Sequence, residues 1–297
     1  MPLGAKSFLF LVIATASVAQ TATDLTARYG YPDVERFVVR PGITMMASYA
    51  EDRTVCEMVI EPKHPIHRTD DKEQLMETAT VSEIIDELAP ESERGILLNR
   101  IFEAMGAPQF EHDKYQNVTI SRYFIRSLPA NHDEKSATII RRDGPCSPAI
   151  PSHESVPAIE LNAADLHARY GEPDVERFIV GPIVRPNVTL MVAYGTDRAA
   201  CQMVVERMRS IIPDDEPAEY MRPEVVTEII DVVLPEADRG SLLLRTVTKS
   251  GCNEIENADY QNVTVSRFRH KCNLSNPEIE GGATVTRKNP ACGNVGK

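Results

Sequence analysis

The stretch Asp24-Leu-Thr-Ala-Arg-Tyr-Gly-Tyr-Pro-Asp-Val-Glu-Arg-Phe37 is written a second time as Asp165-Leu-His-Ala-Arg-Tyr-Gly-Glu-Pro-Asp-Val-Glu-Arg-Phe178. The residues downstream of the first copy also return downstream of the second. Tyr115-Gln-Asn-Val-Thr-Ile-Ser-Arg122 reappears as Tyr260-Gln-Asn-Val-Thr-Val-Ser-Arg267, and Cys56 and Cys146 align with Cys201 and Cys292. Similarity sustained over so long a period marks a tandem duplication, so one unit can be read and then checked against its double.

In the first unit Asp24 is placed to cap a short helix that Gly30 ends and Pro32 keeps from resuming. Residues 35–40, 43–49 and 55–61 then alternate apolar and polar, which predicts an antiparallel meander wet on one side, with turns at Pro41-Gly42 and Asp52-Arg53. Val81, Ile84, Ile85 and Leu88 fall at helical spacing and form a stripe that needs a partner surface. The second unit repeats it as Val226, Ile229, Ile230 and Val233. Residues 96–105 read as a helix fraying into extended chain, and 115–122 and 137–141 as further strands. Segregated strands and helices predict an α+β class: two tandem homologous domains, each a mostly antiparallel sheet covered on one face by helices.

The expected divisions are a signal peptide at 1–19, a first repeat at 20–146, a Pro-rich linker at 147–163 and a second repeat at 164–297. Lys6, the apolar run Phe8 to Ile13 and the small residues Ser17 and Ala19 give the leader pattern, with cleavage after Ala19. The chain is therefore expected to be secreted or periplasmic, without membrane insertion once the leader is gone. A net charge of −12 argues against nucleic-acid partners, which require a concentrated basic surface.

Six cysteines behind a leader suggest disulfides. Cys252 and Cys272 align with Ala107 and Ser127, so they are absent from the first unit together. The economical pairing is Cys56–Cys146, Cys201–Cys292 and Cys252–Cys272. Such bridges would harden an exposed protein rather than create its fold.

For chemistry the chain offers little. His64, His67, Asp70 and Asp71 have loose metal-like spacing that the second unit does not keep, and read as a solvated loop, so no metal or other cofactor is expected. Glu83 and Asp86, echoed by Glu228 and Asp231, read as a solvated helix face. Arg28, Asp33, Glu35 and Arg36 recur as Arg169, Asp174, Glu176 and Arg177, and read as structural ion pairs. The most specific shared polar runs, Tyr115-Gln116-Asn117 and Tyr260-Gln261-Asn262, are the ligand-binding candidates. There is no nucleophile elbow, zinc-protease helix, P-loop or dinucleotide fingerprint. The expectation is a non-enzymatic binding module for a protein or small-molecule ligand. The alternative is an extracytoplasmic hydrolase using carboxylates in a cleft within or between the repeats.

Overall fold

The computed structural model describes residues 21–64, 74–104, 108–127, 131–141, 161–180, 188–207, 221–270, 279–288 and 292. The leader, nearly all of the linker and the residues His67, Asp70 and Asp71 lie outside these. The first helix, α1 (Ala22–Tyr29), is capped by Thr21, and Asp24 sits one turn in, returning a bond to the Thr21 amide. Asp24 is thus the reciprocal partner of a capping box rather than the cap itself. Its double, α4 (Ala163–Tyr170), uses Asn162 and Asp165 in the same way. Gly30 and Gly171 stop the two helices at φ 82° and 78°, where a side chain would be strained.

Strands β1 (Val34–Arg40), β2 (Ile43–Tyr49) and β3 (Val55–Pro62) form the anticipated meander. Phe37, Met45, Met58 and Ile60 are buried on one face, as the period of two requires. A short β4 (Met76–Glu77) leads into α2 (Thr78–Leu88), whose stripe of Val81, Ile84, Ile85 and Leu88 is buried against that face. After the four-residue helix α3 (Glu91–Arg94) come β5 (Leu97–Ala104), β6 (Pro108–Tyr115), β7 (Val118–Ser127) and β8 (Asn131–Arg141). β8 pairs back with β3, so the half runs β1-β2-β3-β8-β7-β6-β5.

One local expectation fails here, and one strand, β6, had no expectation attached to it. Within the stretch expected to be helical, Leu97–Ala104 is a strand, because its side chains are exposed, with no core beside them, and its backbone pairs with β6 instead. β6 itself gave no apolar signal: its buried positions are the polar Gln109 and Asp113, the latter held by Arg100. The same face holds a buried ion pair between Arg122 and Glu134 (Nε–Oε1 2.9 Å, Nη2–Oε2 2.7 Å). Burial pushes the Glu134 carboxyl above its ordinary value, against the pull of Arg122.

The second half repeats the plan with β9 (Val175–Ile179), β10 (Val188–Tyr194), β11 (Ala200–Arg207), α5 (Pro223–Val233), α6 (Glu236–Arg239), β12 (Leu242–Ser250), β13 (Asn253–Tyr260), β14 (Val263–His270) and β15 (Ile279–Arg287). It does not close as a separate domain. β1 and β9 pair antiparallel, with Val34 opposite Arg177, Glu35 opposite Glu176 and Arg36 opposite Val175. The register places equivalent residues about a local two-fold axis between the glutamates. The expected pair of α+β domains, each with its own sheet, is therefore replaced by a mostly antiparallel β architecture with one fifteen-stranded sheet. The physical reason is edge elimination. In each half the Asp-Val-Glu-Arg-Phe strand is the end of the meander, and joining the two ends pairs the backbone of 33–36 with that of 174–177 where each edge would otherwise stand open.

The helices also cross over. Leu25 of α1 is buried in the second half's core with Phe178, Leu190, Val226 and Ile230, and the Tyr29 ring meets Phe178. Leu166 of α4 is buried in the first half's core with Phe37, Met45 and Ile84, and the Phe37 ring meets both His167 and Tyr170. Thr21 bridges to Ala199 and Asn162 to Thr54, while Val55 donates to the Leu161 carbonyl. The ends match as well: Arg28 donates to the Val232 carbonyl and Arg169 to that of Glu87, the equivalent position. Each unit thus lends its first helix to the other.

Candidate functional site

The paired strands β1 and β9 present opposite side chains to two different environments. Odd-numbered Glu35 and Phe37 face the helices, as do Glu176 and Phe178. Val34, Arg36, Val175 and Arg177 face the other way.

On the helix side Glu35 and Glu176 are neighbours, both nearly inaccessible. Glu35 accepts from the Tyr49 hydroxyl (2.5 Å) and Arg53 (2.9 Å), and His167 Nε2 lies 3.2 Å away. Glu176 accepts from Tyr194 (2.6 Å) and Arg198 (2.8 Å). Burial, then the adjacent carboxylates, push both phenols above their usual value, so they remain donors at every physiological pH. Arg53 and Arg198 stack on Tyr49 and Tyr194 with 4.1 and 4.4 Å to the ring centroids. They are reached through non-glycine residues at positive φ, 68° and 60°, a conformation held by this network. Each charge has its counter-charge, which fits a buried lock between halves better than an acid–base pair.

On the opposite side the same strands floor a cleft of about 350 Å³. Val34, Met46, Val175 and Met191 form its apolar base in two equivalent pairs, and none of the helices lines it. Arg36 and Arg177 border it, each clamped across the seam. Arg36 takes Asp174 in a two-point contact of 2.9 and 3.0 Å, and Arg177 takes Asp33 at 2.6 Å. Arg36 also donates to the His64 carbonyl at 2.5 Å, drawing the end of β3's connection to the rim. Of the recurring charges, Asp33, Arg36, Asp174 and Arg177 are thus ion pairs between the halves, while Glu35 and Glu176 pair with Arg53 and Arg198 of their own halves and Arg28 and Arg169 donate to carbonyls.

The rim is not symmetric. Tyr123, Lys135 and Ser136 close it from the first half, with Lys135 Nζ 5.3 Å from the Tyr123 ring. Tyr123 is held by stacking on Phe110, 4.6 Å between centroids. In the second half β14 and β15 set Phe268 opposite Gly282, where β7 and β8 set Tyr123 opposite Ser136. The cleft therefore has a two-fold base and a one-sided polar end. Nothing in the sequence reading singled out Met46, Met191, Tyr123 or Lys135. The available signal was divergence: a Tyr–Lys–Ser set kept in one unit and replaced by Phe and Gly in its double.

The triplets expected to bind ligand lie elsewhere, on the β6–β7 and β13–β14 turns in opposite wings of the sheet. Asn117 donates from its side chain to the Glu93 carbonyl at 2.9 Å and Asn262 to that of Asp238 at 3.1 Å. Gln116 and Gln261 donate from the backbone to Ile96 and Ser241. Tyr115 faces Arg94, 5.8 Å from its ring, and the Tyr260 carbonyl accepts from Lys288. Both triplets hold the turn after α3 or α6. At those turns Gly95 and Gly240 have φ of 74°, and an added Cβ would come within 2.9 and 2.8 Å of Gln116 and Gln261. Asp86 and Asp231 pair with Arg94 and Arg239 at the same junctions.

Cys201 and Cys292 are bonded as expected. Cys56 and Cys252 are also in disulfides, but Cys146 and Cys272 lie outside the described residues. Among the described residues there is no cluster of three potential metal ligands, and no helix is long and apolar enough to cross a membrane. No protein-family model matches the chain, and no curated protein matches it significantly.

Proposed function

We propose that this chain is a non-enzymatic binding protein of an extracytoplasmic compartment. It takes a small amphipathic ligand in the cleft over the β1–β9 seam, apolar body on the methionines and polar or anionic end toward Lys135 and Tyr123. The observation that carries this is the composition of the cleft: an apolar base of Val and Met pairs, bordered by Arg36, Glu61, His64 and Arg177, with a polar end of Tyr123, Lys135 and Ser136 that only the first half supplies. A lined concavity of a few hundred Å³ with few polar groups is the usual form of a small-molecule site. Methionine pairs suit ligands of variable outline, because the thioether adapts its shape. The leader pattern and the bonded cysteines support an oxidising compartment.

The test is titration of the mature chain with decanoate and with an anilinonaphthalene sulfonate dye, monitored by fluorescence and calorimetry. One site per chain is expected, weakened at least tenfold by Met46→Glu and by Met191→Glu. Lys135→Glu should weaken binding of both anions and leave a neutral analogue, decanol, unaffected. Binding indifferent to all three substitutions would remove the cleft from the proposal.

A further inference from the structure

β5 and β12 end the sheet on either side, each hydrogen-bonded to one neighbour. Every residue of both strands is exposed, and they carry Leu97, Leu98, Ile101 and Phe102, and Leu242 to Leu244 with Val247. Sheet edges are normally defended by proline or by outward charge. Neither strand contains proline. The basic side chains are turned back onto the adjacent strand: Arg100 pairs with Asp113 at 2.6 Å, Lys249 with Glu254 at 3.2 Å, and Arg245 with Glu256. What remains at the rim is mostly apolar side chain, with Glu103 and a few small polar groups, beside a row of backbone groups that no other strand among the described residues pairs.

We infer that these edges pair with the same edges of a second copy of this chain, so that the sheet continues from molecule to molecule. The residues themselves select that occupant. In an antiparallel ladder between two identical strands, facing residues lie on one side of the sheet, which limits the registers available. Centred on Ile101, the β5 ladder spans Asn99 to Glu103, short of the bulge at Leu98, and sets Arg100 opposite Phe102 and Asn99 opposite Glu103. Centred on Thr246, the equivalent position, the β12 ladder spans Leu244 to Thr248, short of the bulge at Leu243, and sets Arg245 opposite Val247 and Leu244 opposite Thr248. No like charges meet in either. Moving β12 to the next register puts Arg245 on Arg245 one way or on Lys249 the other. Moving β5 puts Arg100 on Arg100, or sets Ile101 against Glu103. Both edges thus share one self-complementary register, and a guanidinium over a facing Phe adds a cation–π contact to the β5 ladder. The chain already uses this arrangement once, at the β1–β9 seam, where equivalent strands meet about equivalent residues. Two such two-fold contacts per molecule generate a linear assembly rather than a closed dimer.

The experiment uses the mature chain in sedimentation velocity over a dilution series, with and without neutral phosphatidylcholine vesicles. Mass should rise with concentration beyond the dimer, with no need for vesicles. Ile101→Lys with Thr246→Lys, both at exposed positions, should leave a monomer with an unchanged circular-dichroism spectrum and thermal midpoint. For register, Ile101→Cys should cross-link to itself on mild oxidation. Asn99→Cys should cross-link to Glu103→Cys in a mixture but not to itself. A wild-type monomer at all concentrations, association only on vesicles, or assembly that survives the double lysine variant would each overturn the inference, as would Asn99→Cys self-linking.

Discussion

Replacing Leu166 by alanine tests the helix exchange directly. Leu166 belongs by sequence to the second unit, yet its side chain is fully buried in the core that Phe37, Met45 and Ile84 build in the first. Removing a buried leucine to Cβ costs about 3–5 kcal/mol when the site cannot collapse around the gap. The site here is walled by a sheet and by α2, so the upper part of that range is expected. This is a fall of roughly 200- to 4,000-fold in the folding equilibrium constant. Global stability alone does not say which core lost the leucine, because the shared sheet couples the halves. A double-mutant cycle does. Leu166→Ala combined with Phe37→Leu should show a coupling of about 0.5–3 kcal/mol, whereas Leu166→Ala with Phe178→Leu should be additive within about 0.5 kcal/mol. Urea unfolding monitored by circular dichroism supplies all the numbers. Coupling to Phe178 with none to Phe37 would mean that α4 packs on its own unit, and the exchange would be refuted.

Four further outcomes are expected. Arg122→Met leaves the fully buried Glu134 without its counter-charge and should destabilise by about 3–5 kcal/mol, read by denaturant titration. Gly95→Ala and Gly240→Ala combine a strained φ with a contact inside 3 Å, so each should lower the thermal midpoint by more than an ordinary Gly→Ala change, in calorimetry, while Gly42→Ala, with open space around it, should lower it less. Cys201→Ala with Cys292→Ala opens a bridge between residues 91 positions apart and should cost about 4–5 kcal/mol in the unfolding equilibrium under oxidising conditions. Burial raises the Glu87 carboxyl, but the hydrogen bonds from Arg40 and Tyr170 outweigh it, and its pKa is lowered in the fold. Its contribution is therefore present at neutral pH and lost as pH falls below the ordinary value of 4.5, so Glu87→Gln should flatten the acid limb of the stability–pH curve.

The sequence carried the local grammar well and the long-range choices poorly. Period-two burial at Phe37, Met45 and Met58 and the stripe on α2 are properties of neighbouring residues, and they were legible. Which strand lies beside β1 is not a local property: β1 has one free edge, and nothing within it names β9 as the occupant. The exchange of α1 and α4 is hidden for a sharper reason. The two helices are near copies, so each has the apolar residues to fit either core, and period and composition do not choose. β6 was missed because its buried side is Gln109 and Asp113, which no hydropathy pattern finds. The central ion pairs were foreseen as pairs but not as ties between halves. The cleft was invisible because its base comes from β1, β2, β9 and β10 and its rim from β7 and β8, a set that only the seam brings together.

The crossing of the helices also bears on the order in which the chain becomes whole. α1 emerges first, but its seat is completed only once α5 has been made, about 200 residues later, or about 10–40 s at common rates of synthesis. Within that interval, from the completion of β8 until α4 is made, the neighbouring seat stands vacant, shaped for a near twin. An early occupant there must later be evicted, which predicts a slow, concentration-independent phase in refolding. Thr26 stands in α1 where α4 has His167, whose ring reaches Glu35 and Phe37. That difference gives the rightful helix a hold on the first half that the wrong one lacks.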